Sequence, residues 1–163
     1  EMCIRDRSYD HASELVDGCT YIIGGTGRVK NVIDKSGNHL FSPRLKDGGL
    51  SVTDWGSKAI YERRSDPTSN AEGYHPYSGF GKGPAVLKVK QDAVEFVLRG
   101  RNVFHGFILS CDAWLKAGQT CFIVDEEGTL IGHGLSQCDA DEAFRLTKGI
   151  AVRTRSDFSK TFD

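Results

Sequence analysis

The segment DAVEFVLRGRNVFHGFIL, residues 92–109, places a short helix, a glycine and a strand in direct succession. The apolar spacing predicts a helix over Asp92–Leu98, and Gly100 follows where helices commonly end on a left-handed residue. The run Val103–Leu109 then predicts a strand. A short helix that leads directly into a strand favours an α+β fold. The side chains expected in the core of this segment are Ala93, Phe96, Val97, Val103 and Phe104.

Strand and turn patterns continue on both sides of this segment. A strand is predicted before it, and three more strands, a hairpin turn and a second helix are predicted after it. Short strands of this number, with two small helices, predict a half-open β-barrel. The predicted elements are strands Ala85–Val89, Cys121–Val124, Leu130–Leu135 and Ile150–Thr154, the turn Asp125–Gly128, and the helix Asp141–Thr147.

The upstream half has its own strand and helix signals. Residues 19–33 contain two short apolar runs separated by a glycine-rich turn, which is typical of a hairpin. Further strands are predicted at Leu40–Phe41 and from Leu50. Thr53 or Asp54 is a suitable N-cap for a following helix. These elements predict a small α+β domain.

Composition suggests where the domains begin and end. Residues 65–84 hold three of the four prolines and almost no aliphatic side chain, so they are predicted to form a linker or long surface loop. The opening residues EMCIRDRS do not resemble a natural protein start. The predicted divisions are a non-native or disordered tail at 1–11, a small α+β domain at 12–64, the linker at 65–84, a barrel domain at 85–155 and a tail at 156–163.

Overall composition is that of a globular chain. The 163 residues are 39% hydrophobic and 26% charged with a net charge of −1, which argues against a disordered or histone-like protein. No apolar run is long enough to span a bilayer, so a cytoplasmic location is expected. The five cysteines include no C-x-x-C pair, which favours reduced, packed thiols.

Charge is segregated within the second half. Residues 112–142 hold seven acids and one base, whereas residues 145–155 hold four bases and no acid. Residues 88–105 hold four bases and two acids. If the first helix and its following strand lie beside the last strand, the two basic segments form one face that suits phosphate.

Motifs for enzymatic chemistry are incomplete. The glycine-rich stretches at 24–27 and 79–83 lack the Ser or Thr that a P-loop places after its lysine. The five histidines match no zinc-binding spacing. We therefore predict no catalytic residue, no metal site and no cofactor. A small enzyme that pairs Cys121 or Cys138 with a histidine stays as an alternative.

The segment Leu98–Phe104 carries the strongest binding signal. Two guanidinium groups flank a glycine, and an amide and an aromatic side chain follow. Arginine matches phosphate oxygens, glycine permits close approach of a nucleic-acid backbone, and aromatics stack on bases. The alternative is a simple glycine C-cap with the apolar residues in the core.

Three segments of the second half resemble a PUA domain, specifically the version at the C-terminus of the archaeosine tRNA-guanine transglycosylase family and its archaeosine synthase relatives. They are EFVLRGRNVFHGFI at 95–108, LKAGQTCFIVDEEGTLIGHG at 115–134 and LTKGIAVRTR at 146–155. Residues 26–60 resemble the small domain that precedes PUA in that family. The resemblance implies a PUA fold and an RNA-binding, archaeal, cytoplasmic protein of tRNA modification.

The same resemblance implies how tRNA is held. In the family the PUA domain grips the acceptor stem and 3′ end, while the catalytic aspartates and zinc ligands belong to a barrel that this sequence lacks. The partners implied are therefore tRNA and a transglycosylase or archaeosine synthase subunit, with no membrane and no DNA. Gly106 and Leu135 stand where the family usually has basic residues. The RNA-facing residues expected here are Arg99, Gly100, Arg101, Asn102, Lys148, Gly149, Arg153 and Lys88.

A second interpretation keeps RNA binding but changes the process. A small domain followed by PUA also resembles translation factors of the density-regulated/MCT type, which meet tRNA on the small ribosomal subunit. In both interpretations, RNA binding depends on phosphate contacts and on RNA shape, because A-form grooves expose little sequence to side chains.

Overall fold

A computed structural model describes residues 13–62 and 84–162. The chain divides into two compact units at the boundary between residues 83 and 84. The predicted tail at 1–11 and nearly all of the predicted linker at 65–84 lie outside the described residues.

The first unit is a four-stranded antiparallel sheet with a helix packed on it. The strands lie in chain order across the sheet, each joined to the next by a tight turn. This arrangement confirms the hairpin predicted for residues 19–33. The elements are α1 (13–16), β1 (Thr20–Ile23), β2 (Val29–Ile33), β3 (His39–Pro43), β4 (Leu50–Val52) and α2 (Asp54–Glu62).

The core of the first unit is small and lies between the sheet and its helices. Val32, Leu40 and Phe41 are its buried apolar side chains. Thr53 caps α2, since its Oγ1 accepts a hydrogen bond of 3.1 Å from the Gly56 N–H. A Cβ at Gly56 would collide with the Leu40 carbonyl, so glycine at this position is what lets α2 pack tightly against β3.

The second unit is built on a six-stranded mixed sheet in the order β6-β10-β9-β8-β5-β7. β5 and β8 pair in parallel, and the other pairs are antiparallel. The predicted half-open barrel in an α+β fold is confirmed. The elements are β5 (Ala85–Val89), α3 (Gln91–Leu98), β6 (Val103–Phe104), a 3₁₀ turn (His105–Phe107), β7 (Ile108–Cys111), β8 (Thr120–Val124), β9 (Leu130–Ser136), α4 (Ala140–Arg145), β10 (Ile150–Thr154) and α5 (Phe158–Phe162).

The second core forms where α3 closes over the sheet. Ala93 and Val97 of α3 are buried together with side chains of β5, β8, β9 and β10. A Cβ at Gly132 of β9 would lie 3.1 Å from the Val97 side chain, so this glycine makes room for the helix. The fully buried side chains of this core include Leu87, Val89, Val103, Ile123 and Val152.

Four sequence predictions for this unit are wrong in detail. Phe96 is 58% exposed, because the buried face of α3 is formed by Ala93 and Val97 with Val94 and Leu98 beside them. Phe104 is 47% exposed, because successive strand residues point to opposite faces and Val103 takes the buried one.

The other two differences concern element boundaries. The strand predicted over Val103–Leu109 is interrupted by the 3₁₀ turn, which separates β6 from β7. The stretch predicted as a tail from residue 156 contains α5, and both Ser156 and Phe158 are buried. Phe158 and Phe162 pack edge to face with ring centroids 4.8 Å apart.

Candidate nucleic-acid interface

The C-terminal end of α3 positions the two arginines that the sequence singled out. The helix ends in a Schellman motif, in which the Gly100 N–H donates to the Val97 carbonyl and the Arg101 N–H donates to the Phe96 carbonyl, both at 2.9 Å. Gly100 has a φ of +82°, a conformation that favours glycine. The predicted glycine C-cap is therefore present, and it turns the chain sharply between Arg99 and Arg101.

The two arginines differ in their availability. The Arg99 guanidinium donates to the Glu95 carboxylate at 2.6 Å, one helical turn earlier, and its side chain stays 65% exposed. Arg101 is exposed and makes no ion pair with any residue that the structure describes. Arg101 is consequently the cation of this turn that is free to meet a phosphate.

β6 brings this turn beside β10, the last strand in the chain. Phe104 pairs with Ile150, and Val103 pairs with Val152. The Asn102 side-chain oxygen accepts a hydrogen bond of 3.1 Å from the Thr154 N–H. The adjacency that would merge the two basic segments is thus confirmed, and Asn102 also acts as a structural link between them.

The loop before β10 is anchored by the 3₁₀ turn. The His105 N–H donates to the Gly149 carbonyl at 3.1 Å, and the buried His105 ring contacts the Ala143 carbonyl through Nδ1 at 3.2 Å. Gly149 has a φ of +94°. Lys148 is exposed immediately before it, so an ammonium group projects from a loop whose backbone is held on both sides.

The strand β10 carries the remaining cations. Arg153 is exposed, lies opposite Leu135 of β9, and donates from Nε to the Gln137 side-chain oxygen at 3.2 Å. Arg155 follows directly after β10 and is also exposed. We call the surface formed by Arg99, Gly100, Arg101, Asn102, Lys148, Gly149 and Arg153 the basic strip.

Lys88 is the predicted RNA-facing residue that the sheet does not place in the basic strip. It lies on β5, which is separated from β10 by β8 and β9, and its side chain is half-buried. Its predicted place beside Arg99 and Arg101 follows from the sequence, in which all three belong to one basic run.

Two further exposed residues, Phe104 and Arg155, lie close along the chain to residues of the basic strip. Phe104 was assigned to the core, yet its exposed ring projects from β6 at the point where β6 pairs with β10. Arg155 is not among the predicted site residues, although it belongs to the same run of bases as Arg153. Strict two-residue alternation from the buried Val103 is the signal that could have revealed Phe104.

The acidic segment of this domain is organised into turns. The Asp125 carboxylate accepts hydrogen bonds from the Glu127 and Thr129 N–H groups at 3.0 and 2.8 Å. The Ala117 N–H, and then nearby Lys116, lower the pKa of the Asp139 carboxyl. Asp125 and Asp139 thus serve as structural turn and cap groups, and the acids and bases of this domain lie in separate segments of the chain.

The cysteines are not activated. Burial raises the pKa of Cys121 to about 12 and also raises the pKa of Cys138. A nucleophilic cysteine needs a lowered pKa, so the structure gives no support to an enzyme based on either thiol. Among residues 13–62 and 84–162, no three His, Cys, Asp or Glu side chains converge as metal ligands.

The helices of the described residues are all too short or too polar to cross a membrane.

Comparison with known proteins defines the second unit. Residues 85–158 match the family model of the PUA domain. This part of the chain therefore has the PUA-type fold, and PUA domains are a class of module that binds RNA.

A longer part of the chain is similar to individual proteins. Over 130 residues it is 28% identical to the tRNA-guanine(15) transglycosylase of Methanocaldococcus jannaschii. The matched region covers 80% of this chain and 17% of that enzyme. Over 128 residues it is 28% identical to the transglycosylase of Thermoplasma volcanium, covering 78% of this chain and 18% of that enzyme. The predicted resemblance to the C-terminal region of this enzyme family is confirmed. The chain spans less than a fifth of the length of either relative.

Solved structures share the fold across nearly the full chain. A conserved PUA domain protein from Thermoplasma acidophilum has a TM-score of 0.55 at 17% identity, covering 93% of this chain and 86% of that one. A hypothetical protein from Pyrococcus horikoshii also has a TM-score of 0.55, at 14% identity, covering 93% and 89%. At these identities the likeness concerns the fold alone.

Proposed function

We propose that this chain is a tRNA-binding unit that grips the acceptor stem and 3′ end and positions the tRNA for archaeosine-type base modification. The catalytic barrel for that reaction is not among these residues. The observation that carries the proposal is the basic strip, which the pairing of β6 with β10 assembles from two separate basic segments.

The charge pattern supports a nucleic-acid ligand. The chain has a net charge of −1, yet residues 145–155 contribute four cations and no acid beside the α3 turn. A cationic surface on a nearly neutral protein attracts a polyanion locally, and the acidic segment at 112–142 repels it elsewhere. The domain can therefore orient an approaching RNA before contact.

The side chains of the surface suit RNA backbone and end recognition. Arg101, Lys148 and Arg153 are exposed cations that can contact phosphates. Phe104 adds an exposed ring beside them, on which an unpaired or terminal base can stack. Phosphate contacts with one stacking residue recognise shape and an RNA end rather than sequence.

The proposal includes a partner and a location. A transglycosylase barrel or archaeosine synthase subunit supplies the chemistry, and the protein acts in the cytoplasm with tRNA. The similarity to tRNA-guanine(15) transglycosylases supports this choice of partner.

Charge reversal tests the proposal. Arg99→Glu with Arg101→Glu is expected to abolish binding of folded tRNA in a salt-titrated binding assay, because Arg101→Glu replaces a phosphate contact by repulsion and Arg99→Glu leaves two carboxylates side by side at the same turn. Lys35→Glu with Lys116→Glu is the matched control, since both lysines are exposed and lie outside the basic strip. Unchanged affinity in the first variant, with circular dichroism confirming the fold, would contradict the proposal.

The choice of process has a separate test. Affinity purification of the full chain should recover tRNA together with a transglycosylase or archaeosine synthase subunit. Recovery of small ribosomal subunits instead would favour the translation-factor interpretation.

A further inference from the structure

We propose that β1 is the edge through which two copies of this chain associate. In this contact β1 pairs antiparallel with β1 of a second copy, about a two-fold axis at Ile22. The inference is independent of the proposed tRNA binding, because it concerns the first unit and needs no RNA.

β1 forms an open edge of the first sheet. It pairs with β2 on one side, and among residues 13–62 and 84–162 no strand pairs with its other side. Natural proteins protect such edges with charged side chains or proline, and β1 has neither. The extra residue in the irregular pairing of β1 with β2 is Lys30, which belongs to β2. The open edge of β1 is therefore unprotected and uninterrupted.

The side chains of β1 leave apolar surface in water. Tyr21 is 46% exposed, Ile22 is 44% exposed and Ile23 is 56% exposed. Side chains alternate between the two faces of a strand, so both faces of this edge expose apolar groups. An apolar edge of this kind readily accepts a further strand.

A hydrogen bond at the end of β1 shows which backbone groups face the open edge. The Gly24 N–H donates to the Arg28 carbonyl at 2.8 Å and therefore points toward the β2 side. Backbone groups of successive residues point to alternate sides of a strand. Those of Ile22 consequently face β2, whereas those of Tyr21 and Ile23 face the open edge.

These directions determine the register of the self-pairing. An axis at Ile22 places Tyr21 of one copy opposite Ile23 of the other, and such a pair can exchange both of its N–H to carbonyl hydrogen bonds. The two Ile22 side chains then meet in a pair without hydrogen bonds, where side chains approach most closely. An axis at Tyr21 would instead place Ile23 opposite Cys19, which lies outside β1.

The same register extends the apolar rows of the sheet. Tyr21 pairs with Val32, and Val32 pairs with Phe41. Val32 and Phe41 are buried, whereas Tyr21 at the end of this row is half-exposed. Ile23 of the second copy would continue the row beyond Tyr21, because directly opposed residues lie on the same face. Pairing therefore covers apolar surface that a single copy leaves in water.

The charges beside β1 favour a second copy as the added strand. Glu14 and Asp17 are exposed before β1 begins, and Arg28 and Lys30 are exposed after it ends. In an antiparallel pair, the start of one strand lies beside the end of the other. Two copies therefore bring the acids of each chain toward the bases of the other, and the two-fold axis repeats this complementary contact.

Sedimentation equilibrium of the full chain tests the proposal. With increasing concentration, the mass of the wild type should rise from that of one chain toward that of two. Ile22→Lys and Ile22→Glu should each weaken self-association by about tenfold or more, because two like charges then lie directly opposite each other. An equimolar mixture of these two variants should restore the dimer, since unlike charges then meet.

The matched control is Leu50→Lys on β4, the other edge strand of the same sheet, where Leu50 is 40% exposed. This variant should associate like the wild type, and circular dichroism checks that every variant is folded. A monomeric wild type would overturn the proposal, as would growth beyond a dimer. Equal loss of association in Leu50→Lys, or a mixture of the Ile22 variants that stays monomeric, would also overturn it.

Discussion

Phe104 is a single residue whose exposure has a functional consequence. An aromatic ring that is 47% exposed contributes little to the free energy of folding. Next to cations, it offers a face on which a nucleobase can stack. Base stacking on an aromatic side chain contributes about 1–3 kcal/mol. We therefore expect Phe104→Ala to weaken tRNA binding by about tenfold while leaving the melting temperature nearly unchanged.

The control for this prediction is Phe144→Ala, because Phe144 is 55% exposed on α4 and outside the basic strip. Fluorescence anisotropy with labelled tRNA measures both variants. Equal loss of affinity in the two would contradict a stacking role for Phe104.

Gly100 is the second residue on which the basic strip depends. Its φ of +82° disfavours any side chain, and a Cβ there would lie 3.0 Å from the Ser156 carbonyl oxygen. Gly118 has nearly the same φ, +81°, but a Cβ there meets nothing within 4 Å. Gly100→Ala should consequently lower the free energy of unfolding by about 2–3 kcal/mol, against about 1 kcal/mol for Gly118→Ala.

Denaturant unfolding of both glycine variants checks this difference. A strained turn would also displace Arg99 and Arg101, so tRNA affinity should fall in Gly100→Ala and not in Gly118→Ala. Equal destabilisation would mean that the contact with Ser156 relaxes freely.

At the scale of elements, β8 carries a cysteine whose burial changes its thiol pKa. Cys121 is fully buried on this strand, and its burial raises the thiol pKa to about 12 from an ordinary value of 9.0. Below pH 8 the thiol is protonated in both the folded and the unfolded chain, so it adds no pH dependence. Above pH 9 only the unfolded chain ionises, and the thiol should lower the free energy of unfolding by up to about 1.4 kcal/mol per pH unit until pH 12.

Chemical denaturation at pH 8 and pH 10 measures this effect. Lysines and tyrosines also titrate in this interval, so the comparison is between the wild type and Cys121→Ala. The variant should lose less stability between the two pH values. An identical loss would show that the buried thiol does not control the alkaline behaviour.

Elements with a clear period could be predicted from the sequence, and those determined by tertiary contacts could not. The strand Ile150–Thr154 and the Gly100 turn were predicted because alternation and a left-handed glycine are local signals. The break between β6 and β7 depends on the buried His105 contacting Ala143, 38 residues away. α5 has only five residues, too few for a helical period, and its Ser159 hydroxyl donates to the Leu98 carbonyl of α3.

The candidate site divides in the same way. Arg99, Arg101, Lys148 and Arg153 could be selected from charge and spacing alone. Their assembly depends on the pairing of β6 with β10, which charge and spacing alone do not establish. Asn102 accepts a hydrogen bond from the Thr154 N–H that no local sequence pattern reveals.

At the scale of the whole molecule, the barrel domain is expected to fold without the first unit. Its buried core cluster is drawn entirely from residues 85–152. A fragment of residues 84–163 should therefore unfold cooperatively and bind tRNA through the basic strip.

A second, shorter fragment tests where the domain ends. A shorter fragment, 84–155, stops where the sequence pattern ends but removes the buried Phe158. It also removes the Ser156 Oγ that accepts from the His133 N–H at 3.0 Å, and the Ser159 hydroxyl that donates to the Leu98 carbonyl at 2.8 Å. Burial of one phenylalanine contributes about 1.5–3 kcal/mol and each hydrogen bond about 1 kcal/mol.

The shorter fragment should thus be less stable than 84–163 by about 3–5 kcal/mol, a large part of the stability of a small domain. Urea unfolding of the two fragments measures this difference. Because Ser159 contacts the last residue of α3, loss of α5 should also loosen the Gly100 turn and weaken tRNA binding more than the removal of distant residues would. Equal stability of the two fragments would mean that α5 only covers a domain that is complete at residue 155.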